Sequence, residues 1–567
     1  MPDETFLNPW QDNGFVLISE PEYIWRAVTP AVIEGFAASA HDEINAKIRN
    51  SIHAIKRDRR LTAAVQYEVA PALLETACFR KSIVLADNRV LLSGAAGTRA
   101  INQYRKEKEK AGIDVEADMA AYFGSCKTAN KGQPLPVEMQ DWDAETPFVI
   151  ECRNTFNYFH FLTESLCQLT LLDGLDFRGN IFFHYPNSDD KHRPFIRAFV
   201  DALFPEFADR VYFERAPKEY PQALTCYDLL STYPFAPDEV FSALRDAFGD
   251  GILNEGINTD IANWRIISAN GYSSAVLALR ERAHRMIEGH DYSYLPKRFY
   301  VGRDDRKSRT RHMQGEELLF EHLQLFGFEY IVFESFSPLE QIALMAQAEV
   351  MVSYHGAGFT NMLFANPDAY VIELGTYQTA QYRWEDFWPL AHASGCRYVN
   401  FFCDFDADNP LLVPEFKVDG IVPVAISAQA VAQVLSFVVT VLGHEPELKS
   451  ETTVKELLGQ LTAVEAWDKA ATLLERSKDM MAGHLDLCLM AADCQKKLDN
   501  PKEELLALDL AYKADRQRWQ TLLRIIWCAN RCERPQVIRW ALSRLQIDFP
   551  ERYTTFLKNH EWVRYVA

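Results

Sequence analysis

The sequence lacks any C-x-x-C pair. Its 11 cysteines are odd in number and scattered from Cys78 to Cys532, a usage that fits reduced thiols and argues against a disulfide framework or a zinc site. Cys528 and Cys532 lie i,i+4, but no matching His or Cys pair stands near them to complete a metal site. Positive charge is in deficit. The net charge is -20 over 567 residues, which disfavours long contacts with nucleic acid or other polyanions. The opening residues, MPDETFLNPWQDNGF, show neither a basic region nor an apolar core of signal-peptide type, so a cytoplasmic location is expected, peripheral at most to the inner face of a membrane. One uncharged stretch, 420–444, reaches bilayer length, but it contains Pro423 and a polar stripe of Gln429, Gln433, Ser436 and Thr440. A helix packed on a globular domain is expected there, with no transmembrane segment.

What is present is ordinary globular material: 48% hydrophobic and 12% aromatic residues in a chain too long for one core, so three or four domains are expected. Residues 1–145 read as a mixed α/β extension, with a helix over 32–55, a strand pair over 82–92 and a charged helix over 99–121. From 148 the pattern alternates. Strands are expected at 148–152, 180–184 and 211–213, with helices between them, which argues for a parallel sheet. In NTFNYFHFLTESLCQLTLL, Phe159, Leu162, Leu166, Leu169 and Leu172 recur at helical spacing, while Asn157, His160 and Glu164 fall on another stripe. His160 and Glu164 are i,i+4 and can meet on one helix surface. The bland alternative for His160 is a core or capping residue.

After a helix over 275–288, a second α/β run predicts strands at 298–301, 329–333, 350–352, 369–374 and 397–402. The helices between them are expected at 315–326, 338–347, 359–364 and 381–394, giving a five-stranded doubly wound unit. Its centre is EVMVSYHGAGFTNMLFANPDAYVIEL. A buried strand ends at the turn His355-Gly356-Ala357-Gly358, a short helical piece follows, and the next strand carries Glu373 near its end. Such a turn is often mere punctuation. It is also how a main chain and a helix N-terminus hold an anion. The loop YVGRDDRKSRTRHM adds Arg303, Arg306, Lys307, Arg309 and Arg311, a cationic cluster suited to diphosphate oxygens unless it is a solvated, partly self-neutralised loop. In an open parallel sheet Arg303, His355, Gly356 and Glu373 all fall at the carboxyl edge, where ligands bind.

Asp404, Asp406 and Asp408 suggest a calcium loop, but the sixth position is Asn409 rather than glycine and Pro410 follows, so no metal is expected. Beyond 450 strands vanish. Amphipathic helices over 464–476, 483–498, 501–512, 519–529 and 535–545 carry alanines at close-packing positions, in the manner of tetratricopeptide-type repeats. They read either as a packing appendage or as a groove for a protein partner.

HGAGFTNMLF followed by AYVIEL, SPLEQIALMAQAEVMVSYHGAG before it, YVGRDDRKSR and the upstream NYFHFLTE together resemble glycosyltransferase family 61, over roughly residues 80–405. That family includes bacterial capsular-polysaccharide, plant xylan-decorating and animal N-acetylglucosamine transferases. The resemblance implies a GT-B pair of Rossmann-like domains, here 146–295 on the acceptor side and 296–445 on the nucleotide-sugar side, flanked by the extension 1–145 and the helical region 446–567. It also implies inverting transfer from a nucleotide-sugar donor to a glycan acceptor, with no cofactor and no metal. By position, Arg303 and Arg309 contact donor phosphates, His355, Gly356, Ala357 and Gly358 form the phosphate turn, Asn157 and Asn361 support donor binding, and Glu373 holds ribose or sugar hydroxyls. Glycosyl transfer needs a base for the acceptor proton and stabilisation of the leaving diphosphate. His160 oriented by Glu164 is the expected base, with Glu164 itself as the alternative. The sequence departs from the family pattern at Met313-Gln314-Gly315, where relatives carry an Asn-Glu pair, and at Glu164, where many carry Asp. A nucleotide-sugar epimerase on the same architecture, and a non-catalytic helical-repeat scaffold with a vestigial core, are the competing readings.

Overall fold

A computed structural model describes residues 5–80, 83–137, 142–152, 157–185, 193–252, 266–303, 313–409, 411–442, 451–463, 465–481 and 483–565. The protein is a mixed α/β chain with several sheets, followed by a helical C-terminal region.

The sheet that positions the central turn is parallel through five strands, in the order Glu329–Ile331, Arg298–Val301, Val350–Tyr354, Tyr370–Thr376 and Arg397–Phe405. Its middle strands are apolar on both faces because both faces are covered. Met351 and Val371 belong to one core cluster, while Val350, Val352, Ile372 and Leu374 belong to another shared with the C-terminal helices. That is why these strands read as continuous apolar runs and not as alternation. All five expected strands are present, and the sheet is wider than five. Val424–Ala425 adds an antiparallel edge, and Ile33–Ala37 pairs in parallel with Arg397–Phe405. The helix expected over 32–55 is corrected accordingly: the strand Ile33–Ala37 comes first and the helix is Asp42–Asp58. A strand edge hundreds of residues away offers partners that local propensity does not encode.

The other large sheet runs Val211–Arg215, Ile181–Tyr185, Phe148–Glu151, Lys218–Asp228, Val69–Arg80, Ile83–Ala86 and Arg89–Val90. Its first three strands are parallel, as expected. The two longest strands, Val69–Arg80 and Lys218–Asp228, form an antiparallel pair with no counterpart in the sequence reading. The N-terminal residues therefore build into both large sheets. The charged helix expected over 99–121 is two helices, Gly94–Lys110 and Val115–Asn130, broken at Gly112, whose φ of 72° few other residues adopt. The helix expected over 381–394 is likewise divided into Tyr377–Tyr382, Trp384–Phe387 and Trp388–Ser394.

The stretch 420–444 contains the helix Ala428–Leu442, with Val431, Val434, Leu435 and Val438 buried in the core shared with the sheet and the C-terminal helices. Among the described residues no helix is long and apolar enough to cross a membrane. Ser436, expected on the polar stripe, is buried. Beyond it the helices Leu485–Lys497, Pro501–Ala514, Trp519–Arg531 and Pro535–Asp548 follow one another, with Ala491, Ala507, Ala511, Ala529 and Ala541 all buried between them. Small side chains at those positions let helix backbones approach closely.

Candidate active site

Two sequence-remote segments meet here. The first begins after the strand Phe148–Glu151. Asn157 caps the following helix, its side-chain oxygen accepting from the His160 amide at 3.3 Å. The helix opens with Tyr158–His160, widens into a π turn over Phe161–Ser165 and tightens into a 3-10 end over Leu166–Leu172. The wide turn shifts the apolar register. Phe161, Leu162, Leu166, Leu169 and Leu172 are buried, whereas Phe159, expected in the core stripe, packs its ring on Phe387 at 5.8 Å. Glu164 sits inside the π turn, and its Oε1 lies 2.7 Å from His160 Nδ1. Both side chains keep about a quarter of their surface exposed, 23% and 24%.

The second segment is the turn after Val350–Tyr354. Gly356 is extended and leads into a 3-10 helix over Ala357–Phe364. The guanidinium of Arg303 donates to the His355 carbonyl at 3.0 Å and lies 4.8 Å over the Tyr354 ring. A Cβ on Gly356 would stand 2.5 Å from Arg303 Nη2, so any larger residue there would move the guanidinium. Gly358 is under no such demand, since a Cβ there would make only ordinary contact with Phe333. His355 Nδ1 lies 2.6 Å from Glu373 Oε1, and the other carboxylate oxygen accepts from the Tyr398 hydroxyl. The pair is nearly closed off, His355 at 9% and Glu373 at 1% side-chain exposure. Burial, together with the Glu373 carboxylate, pushes the Tyr398 hydroxyl pKa well up and keeps it a donor.

Residues that the sequence reading did not single out join the two segments. The Tyr158 hydroxyl donates to Asn361 Oδ1 at 2.7 Å, and Asn361 Nδ2 donates to Gln341 Oε1 at 3.3 Å. Asn361 is thus fully buried and serves the junction between the segments. Phe387 touches three rings at once: Phe159, His355 at 5.6 Å and Phe359 at 5.6 Å. Arg280 donates to the Leu363 carbonyl at 2.7 Å, which fixes the end of the 3-10 helix. Asp386, beside Phe387, has a carboxyl pushed up by burial, against the pull of Arg383 and His355. The signal that could have found Tyr158 and Phe387 is weak, since each reads as one more aromatic in an apolar stretch.

The expected site residues therefore divide. Asn157, His160 and Glu164 stand on one side of the Tyr158–Asn361 and Phe387 contacts. Arg303, His355, Gly356, Ala357, Gly358, Asn361 and Glu373 stand on the other. Arg309, with Arg306, Lys307 and Arg311, lies outside the described residues. The expectation that Glu373 meets ligand hydroxyls encounters a side chain whose oxygens are engaged by His355 and Tyr398. Asp404 is bound to the Ser39 hydroxyl and the Ala40 amide at 3.0 Å, and among the described residues no group of three or more His, Cys, Asp or Glu side chains is arranged to hold a metal. Met313-Gln314-Gly315 has a structural use: Gln314 exchanges backbone hydrogen bonds with Val424 and Ile426, and Gly315, at φ 83°, leaves no room for a Cβ against the Ile426 carbonyl.

No curated protein matches the chain. A family model described as Glycosyltransferase 61 matches residues 158–372, from Tyr158 to Ile372 within the strand Tyr370–Thr376. That segment holds His160, Glu164, Arg303 and the turn from His355 to Gly358, so residues of both halves of the site fall within the stretch that is similar to glycosyltransferase family 61.

Proposed function

We propose that the protein is an inverting glycosyltransferase that moves a sugar from a nucleotide-sugar donor to a glycan or polysaccharide hydroxyl without a metal, across a cleft between two Rossmann-like units of GT-B type. The observation that carries this reading is the junction itself. Tyr158 bonds Asn361, and Phe387 bridges Phe159 and His355, so the His160–Glu164 pair and the Arg303–Gly356 turn flank one place.

In the proposed reaction the donor diphosphate lies against Arg303 and the amides that open at Gly356, Ala357 and Gly358. A guanidinium and an oriented set of N–H groups offset the charge that grows on the leaving phosphate. His160 takes the acceptor proton. Donation of its Nδ1–H to Glu164 places the lone pair on Nε2, and the carboxylate stabilises the imidazolium that forms. Glu164 is then a positioning residue. Glu373 does for His355 what Glu164 does for His160, holding the ring that shapes the turn, so its part in donor binding is indirect. The direct displacement inverts the anomeric centre.

The test is a panel of nucleotide sugars incubated with glycan acceptors, read by nucleotide release and by the anomeric configuration of the product. Acceptor-dependent release with inversion is expected. Interconversion of the sugar nucleotide without any acceptor, or retention of configuration, contradicts the proposal.

A further inference from the structure

A cavity of about 280 Å³ opens beside the helix that carries His160. Glu164, Thr163, Cys167 and Gln168 form one wall, and Glu151, Thr225 and Asp228, from the carboxyl ends of their strands, form another. The rest of the enclosure comes largely from the N-terminal part of the chain: Tyr67, Val69, Val84 and the stretch between Leu91 and Thr98. None of these N-terminal residues lies in the segment 158–372 that matches the family.

The chemistry of the walls selects the ligand. Three carboxylates face the space, and the cation beside them, Arg99, bonds both oxygens of Glu151 at 3.0 Å. A phosphate is repelled by such a lining. A neutral ligand rich in hydroxyl donors is matched by it, because ionised carboxylates only accept hydrogen bonds. Asp228 is held in place by the Ser231 amide and hydroxyl at 2.8 and 2.6 Å. Gln168 Oε1 is buried with no hydrogen-bond partner among the described residues, although its amide nitrogen donates to the Glu164 carbonyl. A buried acceptor left so is costly unless a ligand donates to it. Val69, Val84, Leu91 and Leu230 supply an apolar side for the flat face of a ring.

We infer that this cavity is a subsite for one neutral sugar ring of the acceptor, placed by the chain's own N-terminal region and joined to the base through the Glu164–His160 hydrogen bond. Acceptor selectivity is then written in residues 67–98, outside the family domain. The inference rests on the transferase reading, and the experiment separates the two.

Ligand-detected saturation-transfer NMR is run on the full chain with a panel of methyl glycosides of hexoses, N-acetylhexosamines and pentoses. A second arm measures nucleoside diphosphate binding on the same samples. Thr98 is exposed at the cavity mouth, so Thr98→Trp obstructs entry without burdening the core. Gln168→Ala removes the unpartnered acceptor. At least one methyl glycoside is expected to bind the wild type, with its Kd raised at least about tenfold by Thr98→Trp and less by Gln168→Ala, while nucleoside diphosphate neither competes with it nor loses affinity in the variants. No binding by any glycoside, unchanged binding in both variants, or displacement of the glycoside by nucleoside diphosphate overturns the subsite. Glycoside binding in a protein that binds no nucleoside diphosphate leaves the subsite standing and contradicts the transferase reading.

Discussion

Two histidine–glutamate pairs stand near each other in this protein, and they differ in one respect that matters. His160 and Glu164 meet at 2.7 Å one helical turn apart with about a quarter of each side chain exposed, while His355 and Glu373 meet at 2.6 Å across a strand and a turn with almost nothing exposed. The hydrogen bond is the same. Access to a substrate proton is not. An imidazole that exchanges a proton with a hydroxyl must touch it, whereas one backed by a buried carboxylate and packed on Phe387 is suited to fixing a backbone turn. In the proposed mechanism proton transfer therefore falls to the first pair and donor-site shape to the second.

The largest effect that tests this division is expected from His160→Ala. Acceptor-dependent nucleotide release falls by about 10²- to 10⁴-fold, the usual worth of a general base, while donor affinity is retained. Retained turnover removes His160 from the role. Next comes the contact that keeps the pairs together. Phe387 is 5% exposed and bridges Phe159, His355 and Phe359, so Phe387→Ala costs about 3 to 5 kcal/mol in chemical denaturation, as for other large core truncations, and weakens both functions. A variant that lost only one of them would show that the pairs are not mechanically joined.

Gly356→Ala acts on the second pair alone. Its Cβ displaces the Arg303 guanidinium from the His355 carbonyl, and a shift of about 1 Å at a positioned group costs up to about 10²-fold. Donor KM rises and kcat falls with it, because the displaced guanidinium also offsets the charge that grows on the leaving phosphate. The smallest effect concerns histidines outside either pair. His184, His284 and His392 are held neutral by burial, each lowered from 6.5 to about 4. The amide of Ala31 donates to His392 Nδ1 at 3.0 Å, which a neutral ring accepts. A folded-state pKa below the unfolded one means that stability is fully present above pH 6.5 and lost as pH falls from 6.5 toward 4. Thermal unfolding followed across that window shows the decline, and His392→Gln reduces its steepness.

The fold was legible where neighbours in sequence are neighbours in space. The five parallel strands read directly from short apolar runs, because both faces of that sheet are buried, whereas the helix expected over 381–394 is three short elements. The strands Ile33–Ala37, Val69–Arg80 and Lys218–Asp228 did not, since each is completed by an edge more than a hundred residues away. The site shows the same limit. His160 with Glu164, and His355 with the glycine turn, stand out by residue type and spacing. Tyr158, Asn361, Gln341 and Phe387 form the junction only after folding. Nothing in AYVIEL indicates that the Glu373 carboxylate turns inward to His355 and Tyr398 and away from the surface.

The division of labour is tested most directly by calorimetric titration of nucleoside diphosphates into the wild type, Arg303→Ala and His160→Ala. The account predicts that one nucleoside diphosphate binds the wild type and His160→Ala alike, and that Arg303→Ala loses that binding. Equal binding by Arg303→Ala and the wild type, or loss of binding in His160→Ala, contradicts it.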